Sequence, residues 1–209
     1  MRYLGGKARI SKSLSGVLSD IRVDGQVYLE PFLGGGSVFH LMDDPKIGSD
    51  VVVELIELWK ALQCGWIPPK DVSKDQYVAA REGLITGAER AFIGFGCSFG
   101  GKWFGGYAKT SDGRNYAKNA HNSLMKKVVG IKEAEFNSSS FFDLDCNDHL
   151  IYCDPPYQGT TKPGKRGAFN HDKFWDKVRE LSKTNTVLVS EYSSPADFEV
   201  VWQKEVKID

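Results

Sequence analysis

Cysteine and histidine are both scarce in this sequence and are scattered along it. The 209 residues contain four of each. Cys64, Cys97, Cys146 and Cys153 form no C-x-x-C pair. We therefore expect reduced cysteines and no metal site, which argues against zinc proteins and disulfide-stapled secreted domains.

Long apolar runs are also missing. No stretch approaches the roughly 20 residues that a membrane helix needs. The first residues, MRYLGGKARISKSLSG, lack the apolar region of a secretory signal. Hydrophobic residues nevertheless make up 41% of the chain, enough for a sizeable core. The length suits one domain, or one domain with a smaller insertion, and we expect a soluble, cytoplasmic protein.

An excess of either charge is absent, since 27 basic residues balance 27 acidic ones. Taken alone, a net charge of zero argues weakly against a polyanionic partner. The distribution argues the other way. Residues 96–132 contain seven basic residues and a single acidic residue, Asp112. They are Lys102, Lys109, Arg114, Lys118, Lys126, Lys127 and Lys132. Such a segment can present a phosphate-binding face.

The remaining pattern alternates strands with helices. Strands are predicted in residues 26–32, at 46–49, in 149–153, in 186–192 and, as a last strand, in 198–206. Helices are predicted to begin near 38 and 51, over 74–85 and over 170–183. This alternation is typical of a parallel, three-layer α/β sheet. Residues 66–133, rich in Gly, aromatic residues and Lys, fit that pattern poorly and are predicted to form an inserted lobe.

Three consecutive glycines follow the first predicted strand, in EPFLGGGSVF at residues 30–39. They can form a turn whose backbone closely approaches a ligand. The full dinucleotide fingerprint is missing, because Phe39 stands where its third glycine would be. Asp50, at the end of the next strand, stands where an acid would bind ribose hydroxyls. The alternative is a glycine-rich turn and an Asp that caps a helix.

The sequence DPPY, residues 154–157, directly follows an apolar strand. In an open α/β sheet, ligands bind at the carboxyl ends of the strands. The two prolines have no amide hydrogen and leave carbonyls free to accept hydrogen bonds, and Asp154 adds a carboxylate. These acceptors suit an amino group, and Tyr157 offers a flat face for stacking. A reaction on the exocyclic amine of a nucleobase needs both; the alternative is a tight turn with an exposed acid.

Taken in order, RYLGGK (2–7), EPFLGGGSVF (30–39), Asp50 and DPPY (154–157) resemble the Dam-type DNA adenine methyltransferases. The resemblance covers the two ends of the chain, and the middle aligns by position only. It implies a Rossmann-like S-adenosylmethionine-dependent methyltransferase fold, with a mostly parallel sheet flanked by helices. The catalytic domain would comprise residues 1–65 and 134–209, and residues 66–133 would form a small, largely helical target-recognition lobe.

The resemblance also implies an activity and its partners. The family transfers the methyl group of S-adenosylmethionine to the 6-amino group of adenine in duplex DNA, in bacteria and phages. The expected cofactor is S-adenosylmethionine, the expected partner is double-stranded DNA, and no metal is implied. The target base would be flipped out of the duplex and methylated by direct in-line transfer. A monomer and a weak dimer remain alternatives.

The resemblance implies several cofactor contacts within the first 50 residues. The methionine part of the cofactor would lie against Glu30, Phe32, Gly34 and Gly36. Asp50 would hold the ribose, and Tyr3 and Lys7 would line the pocket, with Lys7 near the DNA as well. Ordinary packing is the alternative for Tyr3 and Phe32.

The family's contact to the adenine of the cofactor falls within residues 138–145, SSSFFDLD. Ser140, Phe142 and Asp143 are alternatives there, with Phe142 taken as the candidate. Asp154 would touch the cofactor marginally.

The catalytic residues implied are Asp154, Pro155, Pro156 and Tyr157. Asp154 and the carbonyl of Pro155 would hold the target amine, and Tyr157 would stack on the base. The DNA contacts expected are Lys7, Lys102, Trp103, Tyr107, Lys109, Arg114, Lys165 and Arg166. A solvated loop anchored by its aromatic residues is the alternative for the middle segment. A surface loop without a ligand is the alternative for the residues after DPPY.

Three other functions remain to be weighed. One keeps the fold and changes the substrate to an RNA base or a cytosine amine. Another is a nucleic-acid-binding protein with an inactive methyltransferase fold, against which the intact DPPY and glycine turn argue. A nicotinamide-dependent dehydrogenase is disfavoured by the missing third glycine.

Overall fold

The centre of the protein is a five-stranded, fully parallel sheet. The computed structural model describes residues 1, 3–108, 113–159 and 169–204. The strands are β1 (Val27–Glu30), β2 (Lys46–Ser49), β3 (Glu135–Asn137), β4 (His149–Cys153) and β5 (Thr186–Val189). They lie in the order β3-β2-β1-β4-β5. The parallel sheet confirms the Rossmann-like fold class.

Six α-helices accompany the sheet in the described ranges. They are α1 (Ser11–Ile21), α2 (Val53–Gln63), α3 (Lys74–Glu82), α4 (Gly87–Ala91), α5 (Tyr116–Met125) and α6 (His171–Leu181). Helix α4 continues into a π-helical turn, Phe92–Gly96, and four 3₁₀ turns are present at Phe39–Leu41, Phe99–Gly101, Val128–Ile131 and Phe141–Asp143. None of these described helices has the length and apolar character to cross a membrane.

Side chains alternate along the two central strands and give the sheet two buried faces. Tyr28, Leu150 and Tyr152 face the core that includes α2, whereas Leu29 and Ile151 face α6. All five are at most 3% exposed. A parallel sheet buried on both faces needs helices on both sides. The protein is therefore the three-layer α/β structure that the sequence predicted.

The helices between β2 and β3 extend the core on one face of the sheet. Phe92, Ile93 and Leu124 are fully buried in the same cluster as Leu58 of α2. Helix α3 begins with a capping box, in which Ser73 accepts from the Gln76 amide and the Gln76 side chain accepts from the Ser73 amide. The middle segment is largely helical, as expected, and its separation as a lobe at residues 66 and 133 stays a prediction.

Helix α6, predicted over residues 170–183, is capped by Asn170. The Asn170 side chain accepts a hydrogen bond of 2.9 Å from the Lys173 amide, which satisfies one of the free amides of the first turn. The predicted helix near residue 38 is only the 3₁₀ turn Phe39–Leu41, since Pro45 disfavours helical backbone at the residue before it. Helices α1 and α5 and strand β3 were not predicted.

The last strand predicted in residues 198–206 is wrong as far as the structure describes it, because residues 198–204 form no strand. The start of this segment contacts α6 through Asp197 and Phe198. The rings of Phe198 and Trp175 are 4.7 Å apart, and Asp197 forms an ion pair of 2.7 Å with Arg179. Contacts between side chains therefore fix residues 197 and 198 on the helix, whereas Trp202 packs against the core on the other face of the sheet.

Truncating the aromatic centre of the α6 face should destabilise the fold strongly. Phe174 is 1% exposed and its ring lies 5.1 Å from that of Phe141 and 5.6 Å from that of Phe169. Phe174→Ala should lower the free energy of unfolding by about 3–5 kcal/mol, through lost burial and the cavity left behind. Urea titration would measure this, with the exposed neighbour Lys173→Ala as the control that stays within about 0.5 kcal/mol. An equal effect of the two variants would contradict the packing described.

Candidate active site

The site forms where the sheet reverses its strand order. Strand β1 lies between β2 and β4, with Leu29 beside Ile151. From β1 the chain proceeds outward through β2 and β3, and then crosses back to β4 on the other side. The loops after β1 and β4 therefore diverge and leave a crevice at the carboxyl edge of the sheet. Glu30 and Asp154 stand at this edge.

The glycine turn lies at one side of the crevice. Gly34 and Gly36 have φ angles of +46° and +55°, which glycine adopts without strain. A Cβ on Gly34 would come within 2.7 Å of the Tyr3 ring, and one on Gly36 within 2.9 Å of the Trp59 ring. The indole of Trp59 also donates to the Gly34 carbonyl at 3.1 Å. The glycines thus permit both the bend and two close aromatic contacts.

Asp50 ties the glycine turn to the start of α2. Its carboxylate accepts from the Gly34 amide at 3.0 Å and from the Val52 amide at 2.9 Å. The alternative of a capping role is therefore realised in part. A carboxylate has about four acceptor positions, so these bonds are compatible with a ribose contact. That contact stays a prediction.

Three aromatic candidates for the cofactor pocket differ in their surroundings. The Tyr3 ring packs against Phe95 at 5.2 Å, and the Phe32 ring against Phe141 at 5.2 Å. Both have the packing contacts that the alternative predicted. Phe142 is 39% exposed, and Ser140 accepts a hydrogen bond from its amide. Its accessible ring is compatible with a contact to the cofactor's adenine, which stays a prediction for all three residues.

The DPPY sequence begins directly after β4 and is contacted by the amino-terminal segment. The Lys7 ammonium lies 2.5 Å from the Asp154 carboxylate and 4.6 Å from the centre of the Tyr157 ring. The two charged side chains are 12% and 18% exposed. Burial raises the pKa of Asp154 to about 6, and Lys7 opposes that rise. Burial works against the charged form of Lys7 as well, but Asp154 outweighs it and the pKa of Lys7 is raised.

The rest of DPPY is supported from β5. Pro155 is buried and Pro156 is exposed. The Tyr152 hydroxyl is 2.8 Å from the Ser190 hydroxyl, and the Tyr157 ring meets that of Tyr192 edge to face at 4.8 Å. These contacts orient the loop while leaving Tyr157 half-buried.

Two buried ionisable groups flank the glycine turn. Glu30 is 4% exposed and accepts a hydrogen bond of 2.9 Å from the Tyr28 hydroxyl. Lys127 is 7% exposed and donates to the Gly35 carbonyl. Burial raises the pKa of Glu30 to about 8 and lowers the pKa of Lys127 to about 8. Sequence reasoning counted Lys127 only as one of seven basic residues, because the pattern alone gave no sign of its burial.

The described residues of the predicted DNA-binding set divide into exposed and packed ones. Lys102 and Arg114 are exposed. Trp103 packs against Phe95 at 4.7 Å, and the Tyr107 hydroxyl donates to the Val72 carbonyl at 2.7 Å. The aromatic residues thus anchor the segment, as the alternative to DNA contact predicted, and the DNA roles stay predictions. Lys109, Lys165 and Arg166 lie outside the described residues.

Metal ligands do not cluster in the part of the chain that the structure describes, where no group of three or more His, Cys, Asp or Glu side chains could hold an ion. All four cysteines are free thiols.

Residues 3–83, which carry Lys7, the glycine turn and Asp50, match the family model of the D12 class N6 adenine-specific DNA methyltransferases. Over these residues the chain is therefore similar to the adenine methyltransferases of that family. DPPY lies beyond the matched residues, at the carboxyl end of the neighbouring strand β4 in the same sheet. No curated protein matches the chain.

Among solved structures, the rRNA methyltransferase aviRa from Streptomyces viridochromogenes is similar at 14% sequence identity with a TM-score of 0.48. The alignment covers 98% of this chain and 83% of that chain. A similarity at this level carries no argument about the activity or the substrate of this protein.

Removing the Lys7 ammonium should raise the pKa of Asp154 further. Lys7→Met deletes a charge and a hydrogen bond that favour the carboxylate, so more of Asp154 would be protonated at neutral pH. The carboxyl carbon of Asp154, assigned by its loss in Asp154→Asn, can be followed by NMR as pH is varied. The pKa should lie above the value of about 6 expected for the wild type. Lys12→Met, at an exposed position of α1, should leave it unchanged; no rise in Lys7→Met would contradict the pairing.

Proposed function

We propose that the protein methylates the 6-amino group of adenine in duplex DNA after flipping the base into the crevice between β1 and β4. One observation carries the proposal. Lys7 brings N–H donors to the Asp154 carboxylate and lies beside the Tyr157 ring. An adenine amine needs the same two neighbours, an acceptor for its hydrogens and an aromatic face beside its ring. Lys7 would yield this place to the base.

S-adenosylmethionine, when bound, supplies an electrophilic methyl group. The residues along the crevice fit such a cofactor. Gly34 and Gly36 adopt positive φ angles that let the backbone approach a ligand closely, and Glu30 offers a buried carboxyl. Asp50, at the end of β2, is an acid of the kind that binds ribose hydroxyls at this edge of such a sheet. Phe142, partly exposed, is suited to the adenine end.

Asp154 would act by holding the amine. The lone pair of an adenine amine is delocalised into the ring, so hydrogen bonds to its two N–H groups favour a tetrahedral, nucleophilic nitrogen. The Asp154 carboxylate and the carbonyl of Pro155 are the acceptors proposed. Positioning and electrostatic stabilisation would lower the barrier without a strong general base. The proton released can pass to Asp154 or to water, and a pKa of about 6 suits a transient acceptor.

Duplex DNA as the substrate requires base flipping, which costs a few kcal/mol of stacking and pairing. Contacts to phosphates would compensate for that cost. We assign them to residues 66–133, treated as a target-recognition lobe, with exposed Lys102 and Arg114 as its described cations. Trp103 and Tyr107 would support the surface from within rather than intercalate, because both are held by packing contacts.

The substrate can be tested by transfer of a labelled methyl group to unmethylated duplex DNA, single-stranded DNA and RNA, followed by nucleoside analysis. Label on the 6-amino group of adenine, highest with duplex DNA, is the expected result. Label on RNA alone would support methyl transfer but refute DNA as the substrate. Label on cytosine would refute adenine as the methylated base. No label despite cofactor binding would favour a nucleic-acid-binding protein with an inactive site.

Removing the Asp154 carboxylate should abolish methyl transfer and spare cofactor binding. Asp154→Ala deletes the proposed acceptor of the amine, and we expect at least about a 10³-fold loss of rate, as for other preorganised electrostatic groups. Cofactor affinity should change by no more than a few-fold. Single-turnover rates and calorimetry would provide the two readings. Asp145→Ala, an exposed position upstream of β4, is the matched control, and substantial activity in Asp154→Ala would displace Asp154 from the mechanism.

A phosphate contact of Lys102 should be detectable in the salt dependence of DNA binding. If its ammonium neutralises one phosphate, Lys102→Ala should flatten the slope of log K against log salt by about one unit. The slope is obtained from DNA binding by anisotropy at several salt concentrations. Lys12→Ala, exposed on α1, serves as the charge-matched comparison. If the slope for Lys102→Ala equals that of the wild type, Lys102 contacts no phosphate and the interpretation as a solvated loop is supported.

A further inference from the structure

Two opposite charges are buried beside the same glycine turn without forming an ion pair. Glu30 ends β1 and is 4% exposed; Lys127 follows α5 and is 7% exposed. Within the described ranges, Lys127 has no carboxylate at ion-pair distance and donates only to the Gly35 carbonyl. Among the residues that the structure describes, Glu30 accepts a hydrogen bond from the Tyr28 hydroxyl alone. Each group therefore keeps hydrogen-bonding capacity that protein atoms do not use.

Burial of unpaired charges is costly, and the two groups respond as expected. Burial raises the pKa of Glu30 and lowers that of Lys127, so that each is driven towards its neutral form. Each group also opposes the shift of the other through its charge. A ligand that brought an ammonium to Glu30 and a carboxylate to Lys127 would restore both charges in paired form.

We propose that Lys127 binds the carboxylate of the cofactor's amino-acid part, with Glu30 receiving its ammonium. The proposal rests on S-adenosylmethionine as the cofactor, and it adds a residue from outside the sequence motifs. The ligand class is an α-amino acid zwitterion joined through sulfur to a nucleoside. The glycine turn follows Glu30 in the chain and offers its Gly35 carbonyl to Lys127, and its positive φ angles permit close approach of the ligand to its backbone.

The other lysine of the crevice is less suited to this role. Lys7 is already paired with Asp154 and lies against Tyr157. Lys127 instead donates to Gly35 and lies 5.9 Å from the ring centre of Trp59. A purely structural role for Lys127, holding the Gly35 carbonyl, predicts no preference for ligands that carry a carboxylate. That difference gives the test.

The test is calorimetric binding of S-adenosylhomocysteine and of its decarboxylated analogue, without DNA and without turnover. Wild-type protein should bind S-adenosylhomocysteine at least about tenfold more tightly, since a hydrogen bond to a charged group contributes roughly 1.5–3 kcal/mol. Lys127→Met should weaken binding of S-adenosylhomocysteine about 10- to 100-fold and change that of the analogue by less than about threefold. The variant should thus lose the preference for the carboxylate.

Lys126→Met is the matched control, because Lys126 adjoins Lys127 in the chain and is exposed; it should preserve both affinities. Lys127→Gln, which keeps a donor for Gly35, provides a second variant should Lys127→Met fail to fold. Equal weakening of both ligands in a folded variant would overturn the proposal in favour of a structural role. Equal affinity of the wild type for the two ligands would overturn it without any variant. Failure of the wild type to bind either ligand would refute the cofactor assignment itself.

Discussion

The parallel pairing of β1 with β4 is the constraint on which the rest of the site depends. It aligns the carboxyl ends of two strands that are more than a hundred residues apart in sequence. One end supplies Glu30 and the glycine turn, and the other supplies Asp154. Because the connections from these strands leave in opposite directions, a crevice must open between them. Hydrophobic burial on both faces of the sheet holds this geometry rigidly.

Burial of charge at that edge links stability to chemistry. Asp154 is held beside Lys7, and Glu30 and Lys127 are buried near each other without an ion pair. A low-dielectric setting strengthens each remaining interaction and makes each unpaired group costly. The same burial that shifts these pKa values would favour binding of the charged cofactor and the polar base that we propose. In a solvent-filled cleft the same residues would interact more weakly with a charged ligand, because water screens their charges.

The middle segment, residues 66–133, contributes to the hydrophobic core of the fold. Its helices bury Phe92, Ile93 and Leu124 against α2, and its aromatic residues, Trp103 and Tyr107 included, are used in packing. Lys102 remains exposed on a segment anchored in this way. Such anchoring would give phosphate contacts a defined position, which a free loop could not provide.

The sequence by itself determined the strand–helix alternation, the central strands, the helix that follows DPPY and the glycine turn, because local periodicity and turn chemistry depend on neighbouring residues. Tertiary structure alone decided which distant groups meet. It paired Lys7 with Asp154, buried Lys127 beside the glycine turn, and packed residues 197–198 on α6 where a strand was predicted. These outcomes depend on burial and on contacts across long stretches of chain, and neither leaves a periodic signal in the sequence.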